Sequence, residues 1–447
     1  MQTTATIPRL SGRPLVGNLF EFRNHRIALQ RRLAAECGDL GWLRLGPIKV
    51  LMVSSAPLAH ELLTEHADVL RKSAGLGQFA RPLLGDGLLT SEHEPHHRRR
   101  RLLAPAFQHK RIAGYAQVMA DYTERAAAAW DDGAELELAD EMMRLTLAIV
   151  SKTLFDAEVG EDAAAIGEAL TIAMKHVIDE VTRLVHVPLA WPTPRNHKLR
   201  RAVARLDEIV YRLIARRRAL DVDRGDVLSM LLLARDENDG SQLSDAEVRD
   251  EAMTLLLAGH ETTANALAWA GLLLGRHPEA YARLRDEADR VLAGRTPTFE
   301  DLPRLPYATQ VLKESMRLYP PAYLLGRVAE RDLTLGGRRV AAGTTVMVNI
   351  FGIHHRADYF PEPERFVPER FEPAAEKALP RSAFLPFGGG ARICIGNHFA
   401  LMEGALILAT LAQRVELEVL TEGEVDAEPL MTLRPRGGVR VRVRRRR

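Results

Sequence analysis

Two cysteines, Cys37 and Cys394, are the entire thiol complement of 447 residues, and no C-x-x-C pair occurs. A zinc ribbon, a thioredoxin-type motif and c-type haem attachment are thereby excluded. Two thiols so far apart make no disulfide framework, which fits a reducing, cytoplasmic setting. Net charge is scarce too: 61 Lys+Arg stand against 59 Asp+Glu, a formal +2. That excludes a nucleic-acid binder working by bulk positive charge. Lysine is rare, 8 residues against 53 arginines, a composition bias without functional meaning. The start, MQTTATIPRLSGRPLVGN, lacks the basic and apolar regions of a signal peptide. Long apolar runs are also missing. The one membrane candidate, residues 252–275, carries His260, Glu261, Thr262, Thr263 and Asn265 near its middle. An acid at a membrane helix centre costs about 2.5–3.5 kcal/mol, so a buried helix with a polar notch is expected and no membrane anchor. Hydrophobic residues at 46% and charged residues at 27% exclude disordered and collagen-like chains.

No repeat or low-complexity linker divides the chain, so one domain over residues 1–447 is expected. Strand-like runs at 41–45 and 49–53 flank Gly46-Pro47 as a hairpin. From Ala56 to about Pro320, Ala, Leu, Arg and Glu recur at helical spacing, interrupted by a proline-rich loop at 187–194. Val/Thr runs around Gly336-Gly337 and Gly343 predict small sheets over 333–348. A helix is expected over 397–413, then a strand at 439–443 and a frayed, solvated arginine tail. The fold class is mainly α with a small β-rich region, its β parts near 40–55, 325–350 and 415–445. The longest predicted helix, 245–276, opens with the capping box Ser244/Glu247 and ends before Pro278. At 1.5 Å per residue it reaches about 48 Å. Its middle breaks helix preferences: Gly259 costs about 1 kcal/mol against Ala, and Glu261 interrupts an apolar run. Either the glycine serves close packing and the threonines bond backwards to carbonyls, or the notch is functional.

Residues 384–396 read FLPFGGGARICIG. Consecutive glycines permit unusual backbone and close approach to a flat ligand. Cys394 lies just before a helix N-terminus, where the dipole and free N–H groups favour a thiolate. Such a thiolate suits an axial haem ligand, with Arg392 placed for a propionate. A phosphate cradle is disfavoured, because G-x-G-x-x-G is not completed and no Lys follows.

The pattern F-x-x-G-x-R-x-C-x-G, met by Phe387, Gly390, Arg392, Cys394 and Gly396, resembles the haem-binding signature of the cytochrome P450 family. The run Ala258-Gly-His-Glu-Thr-Thr263 resembles that family's oxygen-activating notch. Glu314 and Arg317 resemble its E-x-x-R, and Arg370 in FVPERF its third partner. The resemblance extends over essentially the whole chain, from Pro14 onward; Arg356-Ala357-Asp358 replaces the commoner Arg-Asp-Pro. It implies a triangular-prism fold around a buried haem b, with Cys394 ligating iron and Phe387, Gly388 and Gly396 shaping the cofactor loop. It implies a haem-thiolate monooxygenase that inserts one atom of O2 into a bulky hydrophobic molecule. Ala258, Gly259, Glu261 and Thr262 form the implied catalytic notch: Gly259 makes room for oxygen, Thr262 presents its hydroxyl, Glu261 relays protons. Glu314, Arg317 and Arg370 are structural in it. PHHRRRRLLAPAF, residues 95–107, resembles the helix above the haem. This puts His96 (or His97, one residue on) and Arg100 toward a propionate, with Arg98, Arg99 and Arg101 solvated or facing a partner. Arg327 is the implied second propionate arginine.

No flavin or nicotinamide segment follows Cys394. Electrons from NAD(P)H are therefore expected through a separate ferredoxin or flavodoxin with its reductase, to a monomer. The segments matching substrate-facing loops are apolar: Leu76, Phe79, Leu83, Leu84 and Leu88; Val177, Ile178 and Val181; Tyr323 and Leu324; Leu430 and Met431. A terpenoid, steroid, fatty acid or polyketide would fit. Two rival readings are weaker. His93-Glu94-Pro95-His96-His97 matches H-E-x-x-H of zinc peptidases, but Pro95 would break that helix and four arginines would surround the dication. A haem-binding sensor needs a thiolate but no acid–alcohol notch.

Overall fold

A capping box opens the helix Asp245–Arg276. Ser244 Oγ accepts the Glu247 N–H, and the Glu247 carboxylate accepts the Ser244 N–H, satisfying two orphan donors. In the computed structural model, which describes residues 6–158, 162–183, 186–220, 222–235 and 240–446, this helix is the central strut. It is buried along most of its length and packs on the helices Leu138–Phe155, Pro306–Leu318 and Asn397–Arg414. A helix that is apolar on nearly every side belongs in an interior.

The main sheet has five strands in the order Leu40–Leu45, Ile48–Val53, Thr345–Val348, Leu325–Ala329, Leu70–Lys72. The first two form the hairpin around Gly46-Pro47, with Gly46 at φ 60°. Ile48–Val53 then runs parallel to Thr345–Val348, so distant parts of the chain share one sheet. The strand Leu70–Lys72 lies inside the stretch expected to be helical throughout. Three residues are too few to show a period. It matters because it sets Lys72 directly opposite Arg327.

The arginine tail also corrects an expectation. Residues Arg440–Arg445 form the middle strand between Glu135–Glu137 and Val415–Val419. Arg445 donates to the Trp130 carbonyl at 3.0 Å, and Arg446 reaches Asp289 at 2.6 Å. Alternating valines bury one face while the arginines pair outward, so the tail is docked rather than frayed. Among the described residues, no helix is long and apolar enough to cross a membrane.

Candidate functional site

The cysteine loop is shaped by its glycines. Gly388 and Gly390 take φ 71° and 67°, a region side chains avoid, and a Cβ on Gly390 would collide with the Leu63 carbonyl. The Cys394 N–H donates to the Phe387 carbonyl at 3.0 Å, and Gly396 caps the helix Asn397–Arg414. Upstream, the Leu385 N–H donates to Nε2 of fully buried His354 at 2.8 Å. Cys394 is a free thiol with an accessible residue surface. Protein crowds it on its other sides, and that burial pushes the thiol up, against the pull of the Gly396 N–H and the Arg100 guanidinium. Withdrawal from water thus acts against the thiolate that the helix N-terminus favours.

Glu314 and Arg317 form an ion pair with both side chains fully buried. Arg317 Nε and Nη2 donate to the two Glu314 oxygens at 2.6 and 2.8 Å. Its remaining donors go to the carbonyls of His354, Pro363 and Arg365. All five guanidinium N–H groups are thus used. Glu314 also accepts the Val367 N–H at 2.9 Å, with Arg370 Nε 3.4 Å away. A buried pair is tolerable when its leftover hydrogen-bonding capacity is met in this way. Because Arg317 holds the backbone of His354 while the His354 ring holds Leu385, the lock reaches the cysteine loop.

A second group of cations is not closed. Lys72 and Arg327 face each other across adjacent strands, at 5% and 7% exposure, where like charges destabilise a sheet. Arg392 adds a third charge and bonds to the Ser91 carbonyl and Glu92. Lys72 donates to the carbonyls of Ser91 and Leu88 at 2.7 and 3.2 Å. Burial, then Arg392, pulls Lys72 down to about 7 and Arg327 down to about 10. His96 is buried and pulled down to about 3 by burial and by Arg392 and Lys72 beside it, so it is neutral. His97 faces outward, so His96 is the one of the two that lies among these cations. Of the acids acting on this group Glu92 is the stronger, bonded to Arg392, and Asp86 adds a weaker pull on Lys72. Arg100 sits at its margin, donating to the Ile393 carbonyl at 2.8 Å.

The neighbouring arginines differ from expectation. Arg99 is buried and pairs with Glu251 at 3.0 Å, and half-buried Arg98 pairs with Glu247 at 3.2 Å. The central helix carries both acids, so these arginines dock the helix His93–Leu103 onto it rather than facing solvent or a partner. Arg101 stays half exposed beside Glu94. The zinc reading finds no support: among the described residues no three His, Cys, Asp or Glu side chains gather as a metal site.

The notch on the central helix divides between two directions. Ala258 and Thr262, one turn apart, are open, while His260, Glu261 and Thr263 are buried. Thr262 Oγ1 donates back to the Ala258 carbonyl at 2.7 Å. The missing side chain of Gly259 points at the helix Leu138–Phe155, where a Cβ would lie 2.5 Å from Val150 Cγ2. The close-packing reading of the glycine is thereby supported. Glu261 accepts from Thr432 Oγ1 at 2.6 Å, and its carboxyl is held above the ordinary range by burial.

Sequence reasoning missed Lys72, Glu92, His354, Glu403 and Thr432. None lies in a motif; each becomes visible only when distant elements meet. Glu403 is fully buried, neither oxygen makes a well-formed hydrogen bond, and burial pushes it up to about 8 against the pull of the Thr263 hydroxyl. Of the apolar set, Leu83, Leu84, Leu88 and Val177 are core residues, and buried Tyr323 bonds to the Leu430 carbonyl at 2.7 Å. Leu76, Phe79, Ile178, Val181, Leu324, Leu430 and Met431 remain partly open.

Known proteins give the same assignment as the loop. Cyclooctat-9-en-7-ol 5-monooxygenase of Streptomyces melanosporofaciens is 41% identical over 419 residues, 93% of this chain and 90% of that protein. Cyclooctatin synthase of the same organism is 39% identical, over 94% and 92% of the two chains. Pentalenene oxygenase of Streptomyces avermitilis is 34% identical, over 93% and 92%. The sequence pattern of one family covers residues 8–441, from the first strand-forming segment through the cysteine loop to the last strand, and by that match the chain belongs to the cytochrome P450 family.

Proposed function

We propose that this chain hydroxylates or epoxidises a terpenoid, holding haem b between the Cys394 loop and the open face of the central helix. Family membership makes it a haem-iron monooxygenase fed by redox partners. The finer reading rests on the site. The observation that carries it is the unbalanced cluster of Lys72, Arg327 and Arg392 around neutral His96, with Glu92 as the nearby carboxylate. Two haem propionates would supply the missing negative charge, with Arg100 at the edge and the glycine loop, Phe387 to Gly396, against the ring. Cys394 would ligate the iron as thiolate, since a bound metal keeps a thiol deprotonated even where burial opposes it. Once bound, haem supplies O2 binding and activation, tuned by the sulfur and its hydrogen bonds.

The overall reaction converts R–H, O2, two electrons and two protons to R–OH and water. The chain's own part is to orient the substrate and deliver protons. Thr262 commits its hydrogen to the Ala258 carbonyl, so its oxygen is left to accept a hydrogen bond on the open face. Burial shifts the Glu261 carboxyl toward its protonated form, which suits a group that gives a proton. Proton delivery of this kind is typically worth about 10²–10⁴-fold. The partly open residues Leu76, Phe79, Ile178, Val181 and Met431 offer no charged partner, which suits an apolar substrate. Among the classes that fit, the terpenoid is supported by relatives named for oxygenating pentalenene and cyclooctat-9-en-7-ol. Electrons would come from NAD(P)H through a separate ferredoxin or flavodoxin and its reductase, to a cytoplasmic, single-domain monomer.

The test is optical titration against a terpenoid panel including pentalenene, followed by turnover with the best ligand. A terpenoid should shift the Soret band of the haem-loaded protein. Thr262→Ala should still load haem and bind that ligand, yet divert most reducing equivalents to hydrogen peroxide. Unchanged product per NAD(P)H in Thr262→Ala would remove the notch from the mechanism, and silence across the panel would remove the substrate class.

A further inference from the structure

Glu261 lies between two spaces. Thr262 and Ala258 open on one side of the central helix. Glu261 instead lines a groove of about 470 Å³ between the helices Leu138–Phe155 and Asp162–Val181 and the strand pair Ala427–Pro429 and Leu433–Pro435. The buried floor of this groove is His260, Glu261 and Asn265, and Arg434 stands at its side. Two hydrogen bonds fix the acid there. Thr432 Oγ1 donates to Glu261 Oε1 at 2.6 Å and accepts from Asn265 Nδ2 at 3.0 Å. Asn265 Oδ1, on a fully buried side chain in the same floor, has no partner. An unclaimed carbonyl oxygen beside a held carboxyl is a seat for a hydrogen-bond donor, and water is the donor an open groove supplies.

The turn carrying Thr432 is itself anchored. Arg26 donates to the Tyr323 hydroxyl and to the Pro429 carbonyl, and Tyr323 donates to the Leu430 carbonyl. The Thr432 hydroxyl is therefore held in place from the far side, through residues adjacent to Leu430 and Met431.

We propose that Thr432 is the positioning residue for Glu261: it holds one carboxyl oxygen and keeps the acid open to water entering by the groove. The inference rests on the reading in which Glu261 gives protons toward Thr262. In each transfer the Glu261 O–H bond breaks toward the acceptor beside Thr262. A proton from groove water then re-forms it, and no electrons move. Asn265 seats that water, and Thr432 keeps the carboxyl from turning away from it.

Infrared spectroscopy of the haem-loaded protein tests this directly, whether or not Thr262 takes part. The protonated Glu261 carboxyl band is identified by its loss in Glu261→Gln, and its exchange is followed after mixing into D2O. Thr432→Val should raise the band frequency and slow exchange at least ten-fold, while Thr432→Ser should restore both. Gly167 provides a second handle: it lines the groove, and a Cβ there meets nothing within 4 Å. Gly167→Leu should fill the groove, slowing exchange without moving the band, and it keeps the test open should Thr432→Val fail to load haem. An unmoved band in Thr432→Val, exchange unchanged in Gly167→Leu, or absence of any protonated Glu261 band would each overturn the proposal. Uncoupling in Thr262→Ala alongside an unmoved band would sink this inference alone.

Discussion

Two buried clusters of arginine stand in this molecule, and they are built on opposite plans. Around Glu314 every N–H of the Arg317 guanidinium has a partner, and the carboxylate accepts from Arg317 and from the Val367 N–H with Arg370 beside it. Around Lys72, Arg327 and Arg392 the positive charges face one another, and among the described residues Glu92, with a weaker contribution from Asp86, acts against them. A closed network can only hold a fold. An unbalanced one is intolerable unless something negative joins it, because buried charges must be paired. The difference between structure and binding is thus legible in charge balance, without reference to motif.

The largest effect should come from breaking the closed cluster. Glu314→Ala leaves Arg317 buried and unpaired, which costs about 3–5 kcal/mol. Urea unfolding should show that loss together with poor haem loading. An equally stable, fully loaded variant would mean the pair is not part of the lock.

Breaking the open cluster should do the reverse. Lys72→Met with Arg392→Met should fold at least as stably before haem is added, since mutual repulsion is relieved. Haem retention, followed by transfer to apomyoglobin, should fall about ten-fold or more, roughly 1.4 kcal/mol. Lys72 also sets a pH dependence. Held near 7 when folded against about 10.4 unfolded, it lets the haem-free protein gain stability as pH rises from 7 toward 10. Propionates would draw the proton back, so haem affinity should weaken above pH 7 in the wild type and not in Lys72→Met. Equal retention across both variants would show that the cluster binds something else.

The smallest effect concerns Glu403. Its folded value near 8 lies above the ordinary 4.5, so the native state keeps a proton the unfolded chain releases. Stability is full below pH 4.5 and declines as pH rises through 8. Glu403→Gln should flatten that decline and raise Tm at pH 8–9 while leaving Tm at pH 4.5 nearly unchanged. A Tm profile with the same slope in both proteins would show that Glu403 is ionised when folded.

What the sequence made readable was local. The Ser244 capping box, the bounds Asp245–Arg276, the Gly46-Pro47 hairpin and the spacing of Glu314 and Arg317 each lie within one element. Lys72 and Thr432 were invisible because their meaning lies in partners far along the chain, Arg327 for one and Glu261 for the other. Arg99 and Arg98 were misread because a run of arginines looks solvated until the acids of a crossing helix are placed beside it. For Gly259 the sequence left packing and function both open because a missing side chain shows no direction; the packed helix shows it facing Val150. The arginine tail was misread for want of its flanking strands.

The central claim is that Cys394, seated on a locked glycine loop, ligates haem iron through its sulfur. The ferrous–carbon monoxide spectrum of the purified protein tests it most directly. The account predicts the red-shifted Soret band of thiolate ligation, lost in Cys394→Ala and kept in Cys37→Ala. A band at the position typical of histidine ligation, or a red-shifted band surviving in Cys394→Ala, would contradict it.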